Sequence, residues 1–370
     1  MEMKPNNPVL FAVAVAIITI AILFVLSTKT QMASEFQNGN DTETMMKKTA
    51  LFPKAPDLRG IHGYINAPEG FTLADVKGKV ILVDFWTYSC INCIRTLPYL
   101  TAWDEKYRDE GLVIVGVHSP EFEFEKDYDN VKAAVEKYGI KYPVVLDNSF
   151  STWTAYGNRF WPHKYLIDAD GFIRYDHIGE GAYEETEQRI QQLLTERDEK
   201  IKMGELVASN ISGVVDFTGI GTPEIYFGYG LALPTRNYLG NPEGFRPGLE
   251  VTYSLPPTQT KNFAYLEGTW KNENDYMELV SESGKVVLKY QAKNVNIVAG
   301  QPATLAIKLD GAPPSAAEIG PDGKITDGKA TVQIQDHKLY SIIDDDDYYE
   351  KTLEITVHGK GFRIYTFTFG

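Results

Sequence analysis

Apolar runs of two lengths organise the 370-residue chain. The longest, Val9 to Leu26, is eighteen residues broken only by Thr19 and free of charge. As a helix it would be about 27 Å long, close to the thickness of a bilayer's hydrocarbon core, so the pattern predicts a membrane span. A cleavable secretory signal is the alternative, but the run is long for one and its flank lacks a small-x-small cleavage site. Either reading puts the remainder outside the cytoplasm. Lys4 and Lys29 flank the run on opposite sides, so charge marks its orientation only weakly. Residues 1–28 are therefore read as a transmembrane anchor, and residues 29–51, polar and aperiodic, as a flexible tether.

From Phe52 onward the runs shorten to strand length. Val80 to Phe85, holding one carboxylate at Asp84, and Leu112 to Val117 are continuous apolar stretches of the kind buried on both faces of a sheet. Between them a helix is expected from Cys90 through Leu100 and Trp103, with Pro98 inside it as a kink. Strand, helix and strand in that order predict a parallel βαβ unit. Further along, Val131, Val135 and Tyr138 share a helical face, Tyr142 to Leu146 reads as a strand, and Phe150 to Tyr156 as a brief helix. HKYLID and FIRYDHI form a hairpin around Gly171. The helix from Tyr183 to Arg197, apolar at Ile190, Leu193 and Leu194, closes an α/β domain over 52–202. Within it Glu121, Glu123 and Glu125 alternate with phenylalanines and read as a solvated edge.

Residues 203–262 are rich in Gly and Pro yet too aromatic for disorder, which predicts a connecting segment packed across two domains. After Phe263 the pattern changes to short strands at turn-marked intervals, including KVVLKYQAK, ATLAIKL, KATVQI, LEITV and RIYTFTF. That spacing predicts an all-β sandwich, jelly-roll-like, over 263–370.

A net charge of -14 argues against a nucleic-acid partner and against anionic lipid surfaces. Cys90 and Cys93 are the only cysteines, which leaves none for a structural disulfide. A sulfur at a helix start faces unpaired N–H groups that favour a thiolate, so Cys90 is the candidate nucleophile. Cys93, one turn deeper and more shielded, can resolve a mixed disulfide on Cys90. Thr87 and Ser89 offer hydroxyl caps for that helix. Two other readings stay open. Half of a zinc site would need two ligands from six scattered histidines. A peroxidatic cysteine fits Thr87, three residues before Cys90, but would want proline at Val83.

DFWTYSCINC, followed by Pro98, resembles the thioredoxin superfamily in its membrane-tethered TlpA-like branch. TPEIYFGYG and the β-rich end resemble the C-terminal region of DipZ-type proteins, where a thioredoxin-like domain precedes a carbohydrate-binding-module-like domain. The resemblance implies that Asp84 is the buried acid moving protons to and from Cys93, and that Trp86 lies beside the dithiol. It implies that Pro162 is the cis-proline whose loop covers the sulfurs and excludes metal, with the Trp161 backbone holding an extended substrate strand. Ser89, Ile91 and Asn92 depart from thioredoxin itself, and such positions set the direction of electron flow.

The implied activity is that of a membrane-anchored, extracytoplasmic thiol-disulfide oxidoreductase, a reductant of exported protein thiols including apocytochrome c. It needs no metal and no cofactor beyond the redox-active Cys90–Cys93 disulfide. A separate membrane electron-transfer partner of CcdA type is expected, since the multi-span conduit of DipZ-type proteins is missing from this sequence. A disulfide oxidase or isomerase, an envelope glycan-binding protein with an accessory dithiol, and a metal carrier are the alternatives. Trp270, Tyr276 and Tyr340 read as core or as a sugar-stacking platform, and Asp344 to Asp347 as a solvated loop or a calcium site. His163 reads as a packed or exposed histidine rather than a modulator of the thiolate.

Overall fold

The computed structural model describes residues 43, 45–208, 211, 217–235 and 237–370. The expected span from Val9 to Leu26 lies outside the described residues; among those described, no helix is long and apolar enough to cross a membrane. The tether expected over 29–51 needs correction at its end. Residues 45–51 are helical, and Lys48 reaches Asp168 at 3.0 Å and also pairs with Asp170, fastening this turn to the domain.

The first domain is built on a six-stranded sheet. Its elements are β1 (Tyr64–Ile65), β2 (Val80–Trp86), α1 (Ile91–Tyr107), β3 (Leu112–His118), α2 (Tyr128–Lys137), β4 (Val144–Leu146), α3 (Ser151–Ala155), β5 (His163–Ile167), β6 (Ile173–Ile178) and α4 (Tyr183–Arg197). The strand order is β1-β4-β3-β2-β5-β6, with β2, β3 and β4 parallel and the rest antiparallel. Parallel neighbours need a crossover, and α1 supplies the one between β2 and β3.

Every residue of β2 is buried, and period two sorts its side chains. Val80, Leu82 and Trp86 pack with Leu97, Leu100 and Trp103 of α1 and with Ile190 and Leu194 of α4. Ile81, Val83 and Phe85 pack on the opposite face with Val115, Val117 and Trp153. By the same alternation Asp84 points to the face that α1 covers. The strand's one carboxylate is thereby aimed at the cysteine helix.

Beyond α4 the chain folds back. The Glu187 carboxylate of α4, fully buried, accepts the N–H groups of Val207 at 2.9 Å and Ala208 at 2.8 Å. The second domain then forms from β7 (Ile225–Tyr226), α5 (Tyr229–Thr235), β8 (Glu250–Tyr253), β9 (Ala264–Asn272), β10 (Met277–Leu279), β11 (Ser283–Gln291) and β12 (Asn294–Gly300). It continues through β13 (Ala303–Leu309), β14 (Gly323–Thr326), β15 (Lys329–Ile334), β16 (Lys338–Asp344), β17 (Glu350–His358) and β18 (Arg363–Phe369). One antiparallel face runs β14-β15-β13-β17-β11-β9 and the other β9-β10-β18-β12-β16, so β9 serves both. The interior is aliphatic, with Leu266, Leu288, Leu305, Val332 and Ile355 at 0 to 1 % exposure around Trp270.

Of the aromatics considered for sugar stacking, Trp270 and Tyr340 belong to this core, and Tyr276 packs 5.2 Å from Tyr365. In the acidic run Asp344 is held by Asn294 and Asp345 by Lys351. Among the described residues no group of acidic, histidine or cysteine side chains is placed to hold a metal ion.

The loop after β3 corrects the solvated-edge reading. Glu123 is exposed, but Glu125 is fully buried, accepting the N–H groups of Glu121 and Phe122 and the Ser89 hydroxyl. Phe122 and Phe124 turn instead into the second domain, with ring centroids 5.1 Å and 4.8 Å from Tyr365, beside Val298 and Leu339. Burying each such ring contributes about 1.5–3 kcal/mol, which makes this loop the apolar clamp between the domains. β7, paired with β18 inside the second domain, adds a polar contact to the joint, the Tyr226 hydroxyl donating to Glu121 at 2.6 Å. Just past it, an added Cβ at Gly228 would stand 2.2 Å from the backbone of Asp275, so the strand can turn there only with glycine.

Candidate active site

Cys90 is the N-cap of α1, in extended conformation, and its sulfur accepts the backbone N–H of Cys93 at 3.3 Å. The sulfur itself therefore fills the capping role expected of Thr87 and Ser89. The Thr87 hydroxyl lies instead 3.3 Å from His118 Nε2, and the Ser89 hydroxyl donates to Glu125. Both thiols are free. Cys90 is half-buried, whereas Cys93 is 1 % exposed. Burial, followed by the adjacent Cys90 sulfur, pushes the Cys93 thiol well above its ordinary range. A proton on Cys93 therefore needs a specific acceptor before that sulfur can attack.

Asp84 is 1 % exposed, and burial raises its carboxyl from near 3.8 to about 7, with Lys164 opposing the shift. Its Oδ1 finds no hydrogen-bond partner. Lys164 lies directly across in register on β5, fully buried, donating to the Gly179 carbonyl at 3.0 Å. Burial lowers the Lys164 ammonium, while Asp84 and then Cys93 hold it up. Asp84, Lys164 and Cys93 are thus one electrostatic group, two acids that share a low-dielectric region with one base.

Trp86 is fully buried in the cluster that includes Cys93, and its indole passes over Gly116, where an added Cβ would come within 3.0 Å of Nε1. His118, at the end of β3, meets Trp86 edge-on at 5.4 Å and stacks on Tyr88 at 5.7 Å. Burial lowers it to about 3, so it is a neutral imidazole. Trp161 is half-buried, donates from its indole to the Ser119 carbonyl at 2.9 Å, and lies 4.3 Å from Trp153. The Trp161–Pro162 bond is cis and Pro162 is buried. His163 is packed away, between Asn158 at 2.7 Å and Asp176 at 2.9 Å.

Above the sulfur a cavity of about 390 Å³ opens between the domains. Cys90, Asn92 and Trp161 line one side and Glu224, Tyr226 and Thr368 the other. The arrangement can present one nucleophilic sulfur to a narrow segment, keep a second sulfur dry beneath it, and exchange one proton with a carboxyl that titrates near neutrality.

Sequence reasoning singled out Cys90, Cys93, Asp84, Trp86, Trp161 and Pro162, and the structure gathers them at one end of β2. It missed Lys164, His118 and the whole second-domain wall. A lysine in the otherwise hydrophobic KYLI run was a signal for Lys164. Its partner, however, is set by strand register, which no local pattern carries.

A family model described as Redoxin matches residues 53–194, and one described as Thioredoxin like C-terminal domain matches residues 222–370. The chain is 37% identical over 320 residues to Protein DipZ of Mycobacterium bovis, covering 85% of this chain and 43% of that protein. Thiol-disulfide oxidoreductase YkuV of Bacillus subtilis is 28% identical over 144 residues, 39% of this chain and 95% of its own length. Thiol-disulfide oxidoreductase ResA of Bacillus thuringiensis is 31% identical over 121 residues, 33% of this chain and 67% of its own. The chain thus spans less than half the length of the DipZ protein it matches.

Proposed function

We propose that this chain, which belongs to the thioredoxin superfamily and is a thiol-disulfide oxidoreductase, acts as a membrane-anchored reductant of disulfides in exported proteins. The observation that carries the reading is the layered site, with a half-exposed Cys90 sulfur over a dry Cys93 and the raised carboxyl of Asp84. Cys90, as thiolate, attacks one sulfur of a substrate disulfide, forming a mixed disulfide and releasing the first substrate thiol. Asp84 takes the proton from Cys93, whose thiolate attacks the Cys90 sulfur. The second substrate thiol leaves, and the protein holds a Cys90–Cys93 disulfide. Two electrons have passed to the substrate and no further cofactor is required.

Trp86 and Pro162 shape the site, and the Trp161 backbone offers an edge for an extended substrate strand. The apolar run from Val9 to Leu26 supports anchoring, with the soluble domains outside the cytoplasm. A membrane electron donor of CcdA type would re-reduce the disulfide, and apocytochrome c is a candidate substrate. Direction is decided by potential. A redox titration of the full chain in graded thiol buffers, acid-quenched, alkylated and weighed, should give a two-electron midpoint near or below about -270 mV. A midpoint near about -120 mV would make the protein an oxidant.

A further inference from the structure

The second domain places charge in the cleft as well as surface. Glu224, just ahead of β7, and Glu121, in the loop after β3, meet at the hydroxyl of Tyr226, which lies 2.6 Å from Glu121 Oε1 and 3.0 Å from Glu224 Oε2. A phenol carries one proton, so it cannot satisfy two ionised carboxylates. Burial and then repulsion by Glu224 and Glu125 raise Glu121; desolvation by the protein packed around its carboxylate raises Glu224, against the hydroxyls of Tyr226 and Thr366. Among the described residues no cationic side chain is one of the groups acting on either carboxylate. Arg159, the one cation lining the cavity among the described residues, is not one of them. Yet Glu224 remains exposed to the cleft and reachable from it. On the same wall of the cavity Thr368, 6 % exposed, has a hydroxyl with no hydrogen-bond partner.

We infer that this wall is a subsite for a basic side chain of the substrate, a lysine or arginine close to the cysteine that Cys90 attacks. The inference rests on the reading of Cys90 as the nucleophile and adds the substrate class: disulfides carried on extended, locally basic polypeptide. An ammonium brings three donors and a guanidinium five, enough to satisfy Glu121, Glu224 and the Thr368 hydroxyl together. Because Glu224 and Tyr226 come from the second domain and Cys90 from the first, that domain becomes part of the substrate site. A thioredoxin-like domain alone would lack the selectivity.

The test uses the full chain, reduced, with two peptides that share one intramolecular disulfide and differ only in having lysine or glutamate beside the attacked cysteine. Hydroxyethyl disulfide is the neutral reference. The lysine peptide should react roughly tenfold faster than the glutamate peptide, and added salt should compress that ratio. Glu224→Gln alone, and Glu121→Gln with Glu224→Gln, should bring it towards one. Equal rates for the two peptides while hydroxyethyl disulfide is still reduced would overturn the subsite and leave the oxidoreductase reading standing. So would a ratio that survives both salt and the substitutions. No reaction with any of the three disulfides would overturn the underlying reading, and the subsite with it.

Discussion

Around the dithiol the first domain buries Asp84, Lys164 and His118 at 1 % exposure or less, whereas the second domain fills its interior with aliphatic side chains around Trp270 and Met277. Two of the polar groups inside the second domain, Asn272 and Asn241, are neutral and tie loops to strands. Asn272 accepts from Arg246 N and from the Tyr253 hydroxyl, each at 2.9 Å, and Asn241 pairs with Leu266 through both its carbonyl and its amide. Ionisable groups in low dielectric cost several kcal/mol unless paired or neutralised, so a fold keeps them where chemistry needs a shifted proton. The contrast separates a domain strained to hold a reaction from one packed to hold a shape. Where the two meet, the second domain's polar side chains face the first domain's sulfur.

The strongest way to break this contrast is to remove the sulfur. Cys90→Ser should lower the reduction of a small disulfide by about 10⁴-fold or more, since Cys93, the one other cysteine of the sequence, is 1 % exposed. Cys93→Ser should instead stop after one bond, leaving a mixed disulfide on Cys90 visible by mass spectrometry. Turnover by Cys90→Ser within tenfold of the native chain would move the chemistry elsewhere.

Next comes the second domain's interior. Trp270→Ala should cost about 3–5 kcal/mol in urea unfolding, because the indole is fully enclosed, while reduction of a small disulfide by the folded fraction continues. An unchanged unfolding midpoint would show that Trp270 is a binding surface and not core.

The smallest effect sharpens the comparison most. Asp84→Asn should slow resolution of the mixed disulfide about 10²-fold, the range of one general base. The same carboxyl makes stability depend on pH. Its folded value of about 7 lies above its ordinary 3.8, so the folded state holds the proton more tightly. Its contribution is therefore fully present below about pH 4 and is lost as pH rises through about 7, by up to about 4 kcal/mol. Urea midpoints at pH 4 to 8 should show the native chain losing stability relative to Asp84→Asn as pH rises. A difference independent of pH would place the raised carboxyl elsewhere.

Local pattern carried a good part of the fold. The apolar run of β2, the helix starting at Cys90, the amphipathic α4, and strands such as Ala303–Leu309 and Arg363–Phe369 follow from periodicity and turn residues that act within a few positions. The thiol chemistry was legible for the same reason, since two cysteines three apart at a helix start need nothing distant to make them a redox pair. Asn294–Gly300 escaped, because its strand character comes from β16 and β18 on either side rather than from its own alternation.

What tertiary structure alone decided is which groups share a dielectric. Lys164 acts on Asp84 because β5 pairs with β2 in one register, and Glu125 is buried because Phe122 and Phe124 are drawn into the second domain. Tyr226 reaches Glu121 across a domain boundary that no window of sequence spans. Sequence determined the elements and the sulfur pair, since bonding and periodicity are local. Register and domain docking fixed the charges around that pair, since electrostatic coupling depends on distance in space and on the water excluded between.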